Sequence, residues 1–151
     1  MGWIERVNAL YNAFLKLVND ANIKNKRGIA VKVYQRALPP NFSKEDCPAI
    51  AVMKDNVSGR RVETDQPDLE KPCELRIVVG LSDYSMVDLD DADTLTDDLV
   101  NKLLNALGTD PSLGNLSKGI RFENIQFDFD RREGIWYSEP TLNFSVEGTE
   151  F

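Results

Sequence analysis

Seven aspartates fall in one short stretch: Asp83, Asp88, Asp90, Asp91, Asp93, Asp97 and Asp98. Closely spaced carboxylates are the raw material of a calcium loop, which gathers hard oxygen ligands at fixed positions around a central glycine. The spacing does not complete such a loop. After Asp88 and Asp90 the fifth position is Ala92, the sixth is Asp93 where glycine is required, and no Glu closes the loop. Acidic residues at a helix start have another use. They accept hydrogen bonds from free amides and complement the helix dipole, by roughly 0.3–1 kcal/mol each when exposed. On this reading all seven cap and charge the start of one helix. Asp88, Asp90, Asp91, Asp93, Asp97 and Asp98 form an acidic surface, and no metal or cofactor is expected. Asp97 and Asp98 are adjacent on a helix, so they diverge instead of converging on one ligand.

The remaining chemistry is sparse. Histidine is absent, which removes the commonest general base and the commonest metal ligand together. Cys47 and Cys73 are too few and too far apart for a zinc site or a redox pair, and each adjoins a proline at the edge of a strand-like run. They read as small buried hydrophobes. The nine glycines are scattered and form no phosphate cradle, and no Gly-x-Ser-x-Gly motif occurs. The chain is not expected to be an enzyme.

Charge is unevenly spread over the net −7. Residues 1–72 hold 12 Lys/Arg against 9 Asp/Glu, and residues 73–151 hold 6 against 16. Phosphate binding needs clustered cations, so the acidic half argues against a nucleic-acid clamp. It allows a surface that DNA passes without sticking, or a charge match between copies, beside its plain contribution to solubility. No apolar run approaches the ~18 residues needed to span a bilayer. The first residues do not follow secretory order, so a chain made and folded in a reducing cytoplasm is expected.

The elements that must position these residues follow from periodicity. The clearest pair is a strand, Cys73 to Leu81, feeding a helix, Asp91 to Leu107. The strand puts Cys73, Leu75, Ile77, Val79 and Leu81 on one face. The helix repeats Leu95, Leu99 and Leu103 at four-residue steps. Ser82 to Asp90 reads as the linker between them. Gly108 and Asp110-Pro111 end the helix, and Leu113 and Leu116 are expected to pack down over the core. Residues 3–18 form an amphipathic helix with Trp3, Val7, Leu10, Phe14, Leu17 and Val18 on one side. Ile29 to Tyr34 and Pro48 to Lys54 alternate as strands.

From Asp55 to Pro72 the chain is polar and long for a loop. Arg60, Arg61, Glu63, Asp65, Asp68 and Glu70 are candidate interface residues there, on an arm reaching a neighbouring subunit. A solvated loop fits the composition equally. Ile120 to Phe129 and Ile135 to Val146 form a long hairpin. Its apolar phase slips near Glu123-Asn124, which marks a bulge, and Pro140 implies an edge position or a second bulge. Trp136 and Tyr137 point to opposite faces, so one is a candidate partner contact, and Trp136 joins the interface set. The sum is a single α+β domain: a mostly antiparallel β-sheet with an N-terminal and a central helix packed on one face, plus a long β-arm or loop.

Three stretches carry a resemblance that spans nearly the whole chain. They are Cys73-x-Leu75-Arg76-Ile77-Val78-Val79-Gly80-Leu81, then Leu99-Val100-x-x-Leu103-Leu104-x-x-Leu107-Gly108-x-Asp110-Pro111, then Phe127-Asp128-Phe129-Asp130-Arg131-x-x-Gly134-Ile135-Trp136-Tyr137. With the opening helix and Ala37-Leu38-Pro39-Pro40, this layout resembles the tail terminator proteins of tailed bacteriophages. The resemblance implies a structural virion protein at the head-proximal end of the tail, assembled in the host cytoplasm. It implies a homo-hexameric ring that caps the tail tube, ends tube polymerisation and offers a docking surface to the head–tail connector or neck protein. The tail tube protein is then a partner, the tail sheath a further candidate, and DNA passes through without specific binding. No membrane and no cofactor are implied. Another neck or baseplate component, such as a head-closure protein, shares this size and composition. An acidic metal-dependent hydrolase and a small cytoplasmic adaptor are the readings from other classes.

Overall fold

A computed structural model describes residues 2–58 and 73–149 of the chain. Helix α1, Trp3–Asp20, buries Val7, Leu10, Tyr11, Phe14 and Val18 along one stripe; it runs two residues past the expected end at Val18, and Asn22 just beyond it turns left-handed. Helix α2 runs Leu89–Leu107, two residues earlier than the expected start at Asp91, because Asp88 caps it by accepting the Asp91 amide at 2.8 Å. Its inward face is Ala92, Leu95, Thr96, Leu99, Leu103, Ala106 and Leu107. Gly108 ends it while remaining right-handed. Asp110 then organises the next turn, accepting from the Ser112 hydroxyl and the Gly114 amide. Leu113 packs into the core from that turn, whereas Leu116 stays exposed, contrary to expectation.

The strands are β1 (Lys32–Gln35), β2 (Ala49–Ser58), β3 (Glu74–Ser85), β4 (Ser117–Gln126), β5 (Phe129–Arg132), β6 (Ile135–Ser138) and β7 (Thr141–Gly148). Among the described residues β1 with β2 is the only parallel pairing; the others are antiparallel. The fold is α+β. The first strand starts at Lys32 instead of Ile29, because Asn25 folds the preceding residues into a loop of their own by accepting the Ile29 amide. Ala49 and Ala51, on the face of the second strand opposite Ile50 and Val52, are buried as well. Small side chains fit there because Ala51 lies between Tyr34 of β1 and Gly80 of β3.

Strand β3 is the centre of the sheet. Leu75, Ile77, Val79 and Leu81 are buried and face the helices in register with Val146, Phe144 and Leu142 of β7. Phe14 of α1 meets Phe144 edge-on with ring centroids 5.7 Å apart. Each such side chain, buried, contributes about 1.5–3 kcal/mol. β3 also runs four residues further than expected: Ser82–Ser85, read as linker, continue the strand, and Asp83, Tyr84 and Ser85 pair with β6.

The long hairpin is present, with a register that holds across its breaks. Gln126 pairs with Thr141 and Phe129 with Ser138, and the Glu139 amide bridges to the Asp128 carbonyl at 2.8 Å. Glu133 and Gly134 both take positive φ at the tip, the signature of a tight turn matched to strand twist. The register slips between Phe122 and Asn124, where the apolar phase slips in the sequence. Pro140 causes neither an edge nor a bulge. Gly80 pairs with Thr141 and Asp83 with Ser138 without a shift. Pro140 accepts from the Leu81 amide at 2.9 Å and forfeits only the return bond its own nitrogen cannot make.

Among the described residues helix cover of the sheet is incomplete. α2 packs chiefly on β3 and β6, and α1 on β1, β2, β3 and β7. Strands β4 and β5 project past that layer, and nearly every residue from Arg121 to Arg131 is exposed. No described helix is long and apolar enough to cross a membrane.

Candidate functional site

The acidic cluster divides by element. Asp88 caps α2, and Asp90 and Asp91 fill its first turn. Asp91 accepts from the Ser85 hydroxyl at 2.6 Å and pairs with Arg27 at 3.3 Å. Asp98 pairs with Lys102 one turn on, at 2.8 Å. Asp88, Asp90 and Asp97 are exposed and Asp93 half-exposed along the helix. Among the described residues no group of three His, Cys, Asp or Glu side chains is placed to hold a metal ion.

Asp83 is the exception, and the expectation that it caps the helix is corrected. It sits on β3, fully buried, and accepts from Asn25 Nδ2 at 3.0 Å and from the Tyr84 amide at 2.8 Å. Burial pushes its carboxyl above the usual range, while the Asn25 and Tyr84 bonds and nearby Arg27 pull it back. Asn25 is itself buried and also accepts the Arg27 and Ile29 amides through Oδ1, at 2.9 and 3.0 Å. Asn25 therefore fastens the residue 24–30 loop to the end of the central strand. Its signal in the sequence is slight: an asparagine three residues before Gly28, in a turn.

The sheet end beside β6 carries the aromatic groups. Trp136 pairs with Ser85 and is half-buried, its ring 6.3 Å from Phe129 and under the Arg131 guanidinium at 4.7 Å. Tyr137, on the other face, is buried beneath Phe42, with the Arg132 guanidinium 4.0 Å from its ring. Arg132 also lies 3.8 Å from Glu139, whose carboxyl burial pushes up despite that arginine. The Cys47 thiol, 3.8 Å from the Ser82 hydroxyl, is pushed by burial to about 12, so it stays neutral. Cys73 is buried too.

The strongest surface feature is one the sequence presents only as strand alternation. Phe122, Phe127 and Phe129 are 40%, 68% and 61% exposed, on the overhanging β4–β5 edge and the link within it. Met86 and Val87, 66% and 77% exposed, follow Ser85 directly, next to Trp136. Alternation says which residues share a face; it does not say that the helices stop short of that face. Arg60, Arg61, Glu63, Asp65, Asp68 and Glu70 lie outside the described residues. Ser58 and Glu74, which flank that segment, are paired across β2 and β3.

One groove of 630 Å³ runs between the ends of the helices, lined by residues including Leu17, Asp20, Ile23 and Lys102. A cavity of 250 Å³ lies beside Cys73, Leu10 and Gly148. No protein-family model matches the chain, and no curated protein matches it.

Proposed function

We propose that this protein is a structural component of a bacteriophage tail, a tail terminator that assembles with copies of itself into a ring on the head-proximal end of the tail tube. The observation that carries the reading is the uncovered β4–β5 edge. A sheet that leaves Phe127 and Phe129 more than half exposed past its helix layer has the surface of a subunit, because contiguous exposed aromatics mark interaction sites. One helix opens the chain and a second follows the central strand, and these are helices from which the resemblance is drawn. The dispersed carboxylates and neutral cysteines support a role in assembly over one in catalysis. In this role the exposed acids of α2 repel the phosphate backbone of passing DNA. The ring meets the tube protein on one side and the connector or neck protein on the other, with the sheath as a further neighbour in a contractile tail.

The test is a tube-growth assay. Polymerising tail tube protein from the same genome is mixed with the purified protein, and tube ends and lengths are read by electron microscopy. Shorter tubes with extra density at one end are expected. Unchanged tube lengths with bare ends would defeat the proposal.

A further inference from the structure

We infer that the β4–β5 edge of one copy docks on the β1 edge of the next copy, a head-to-tail contact between the two free edges of the same sheet. The inference deepens the ring reading and rests on it for closure into a ring, while the pairing of edges is argued from the surfaces alone.

The sheet ends in β1 on one side and in β4–β5 on the other, and neither edge has a further strand beside it among the described residues. An unpaired edge offers backbone donors and acceptors to another chain. The β4–β5 edge adds side chains to that offer. Phe127 and Phe129 stand out from it, 68% and 61% exposed, with Phe122 at 40% farther back along β4 and Met86 and Val87 past the end of β3; exposed apolar groups of this size on a sheet edge mark an interaction surface.

Charge selects the occupant. Asp88 and Asp90 follow Val87 directly, and Asp128 lies between the two phenylalanines. Arg131 is stacked on Trp136, and Arg121 pairs with Ser145 on the face away from Phe122. The surface is apolar with an acidic rim. The β1 edge has the opposite character. Residues 21–42 contain five cations, Lys24, Lys26, Arg27, Lys32 and Arg36, and no acid. Arg27 is engaged by Asp91, and Lys32 donates to the Glu45 carbonyl and lies near that residue's carboxylate; Lys24, Lys26 and Arg36 form no ion pair among the described residues. Ile29 is 46% exposed beside them, while Val31 and Val33 pack against the core. A second copy therefore brings a mainly basic edge with Ile29 exposed beside it to an apolar surface with an acidic rim. The two patches differ, so the contact is heterologous, and repetition of it closes a ring or extends a filament.

Two variants decide the matter when each carries only one damaged edge. The first is Phe127→Ser with Phe129→Ser; Val87→Asp replaces it if the double variant melts well below wild type. The second is Lys32→Glu with Arg36→Glu. Sedimentation velocity up to about 1 mM protein should show wild type associating, and each variant alone weakened at least tenfold. An equimolar mixture should form heterodimers that grow no further, because one intact edge of each kind remains. Wild type that stays monomeric throughout overturns the inference, as do variants that associate like wild type. A mixture that remains monomeric overturns it too, and an edge that binds only tube protein assigns it to that partner instead. The tube assay separates the two claims. Heterodimers without tube capping refute the tail role and keep this contact. Capping by both variants at wild-type efficiency refutes the contact and keeps the role.

Discussion

Replacing Asn25 by alanine removes three hydrogen bonds at once. Asn25 Nδ2 donates to the buried Asp83 carboxylate at 3.0 Å, and Oδ1 accepts the Arg27 and Ile29 amides at 2.9 and 3.0 Å. A bond to a buried charge is worth about 1.5–3 kcal/mol and a neutral one about 0.5–1.5. The expected loss is therefore about 3–5 kcal/mol, part of it from leaving Asp83 buried with one donor, the Tyr84 amide. For a chain of this size that lowers the melting temperature by roughly 6–20 °C. Urea titration and thermal melts at neutral pH measure it, with hydrogen exchange at the Arg27 and Ile29 amides reporting the loop directly. Asn25→Asp is the companion variant. It keeps an acceptor for the two amides but sets a second carboxylate against Asp83, so its loss at neutral pH is at least as large. It recovers on acidification, because one of two facing carboxylates takes up a proton readily. A loss below about 1 kcal/mol for Asn25→Ala, with unchanged exchange, would show that Asn25 is not the fastening of this loop.

Three further outcomes follow from particular contacts. Deleting Arg60 to Glu70 leaves four residues between Ser58 and Glu74, already paired across the ladder, so a short hairpin loop closes the gap. Melting should change by a few degrees at most while ring assembly and tube capping are lost; retained capping would reduce the segment to a passive loop. The Cys47 thiol, pushed to about 12, should resist iodoacetamide at mildly alkaline pH until denaturant is added, and prompt native labelling would contradict its burial. Glu139 has its carboxyl raised by burial against the pull of Arg132. The folded state thus holds that proton more tightly than the unfolded state does. Its stabilisation is full below the ordinary glutamate range and falls as pH rises to the raised folded value, then levels off. Glu139→Gln should flatten that decline in melts taken across the acid range, and parallel wild-type and variant curves would remove Glu139 as its source.

The sequence made the helices and the bulge legible because their side chains obey one rule each. Leu95, Leu99 and Leu103 recur at the helical step and are all buried, and the slip from Phe122 to Ile125 is a change of phase that only an irregular strand absorbs. The end of β3 was hidden for the opposite reason. Ser82, Asp83 and Ser85 look like linker residues, yet they are buried. Their polarity is met by partners remote in sequence: Asn25 for Asp83 and Cys47 for Ser82. Pro140 misled because the usual objection to proline within a sheet is a missing donor; here the strand pairs on both sides of a single lost bond. The aromatic surface was half legible. Alternation grouped Phe127 with Phe129, but their exposure depends on where α1 and α2 lie across the sheet, which no local pattern encodes.

Strand β3 has a mechanical consequence. One end, at Glu74, adjoins the polar segment 59–72; the other, at Ser85, is paired with Trp136 at the aromatic surface. Twelve extended residues make a strut of roughly 40 Å. It is braced by β2 on one flank and by β7 and β6 on the other. A displacement applied at one tip is passed toward the other through the strands paired on both flanks. In the proposed ring, a neighbour holding the Ser58–Glu74 end would set the attitude of the aromatic edge, and with it the angle at which the next copy sits.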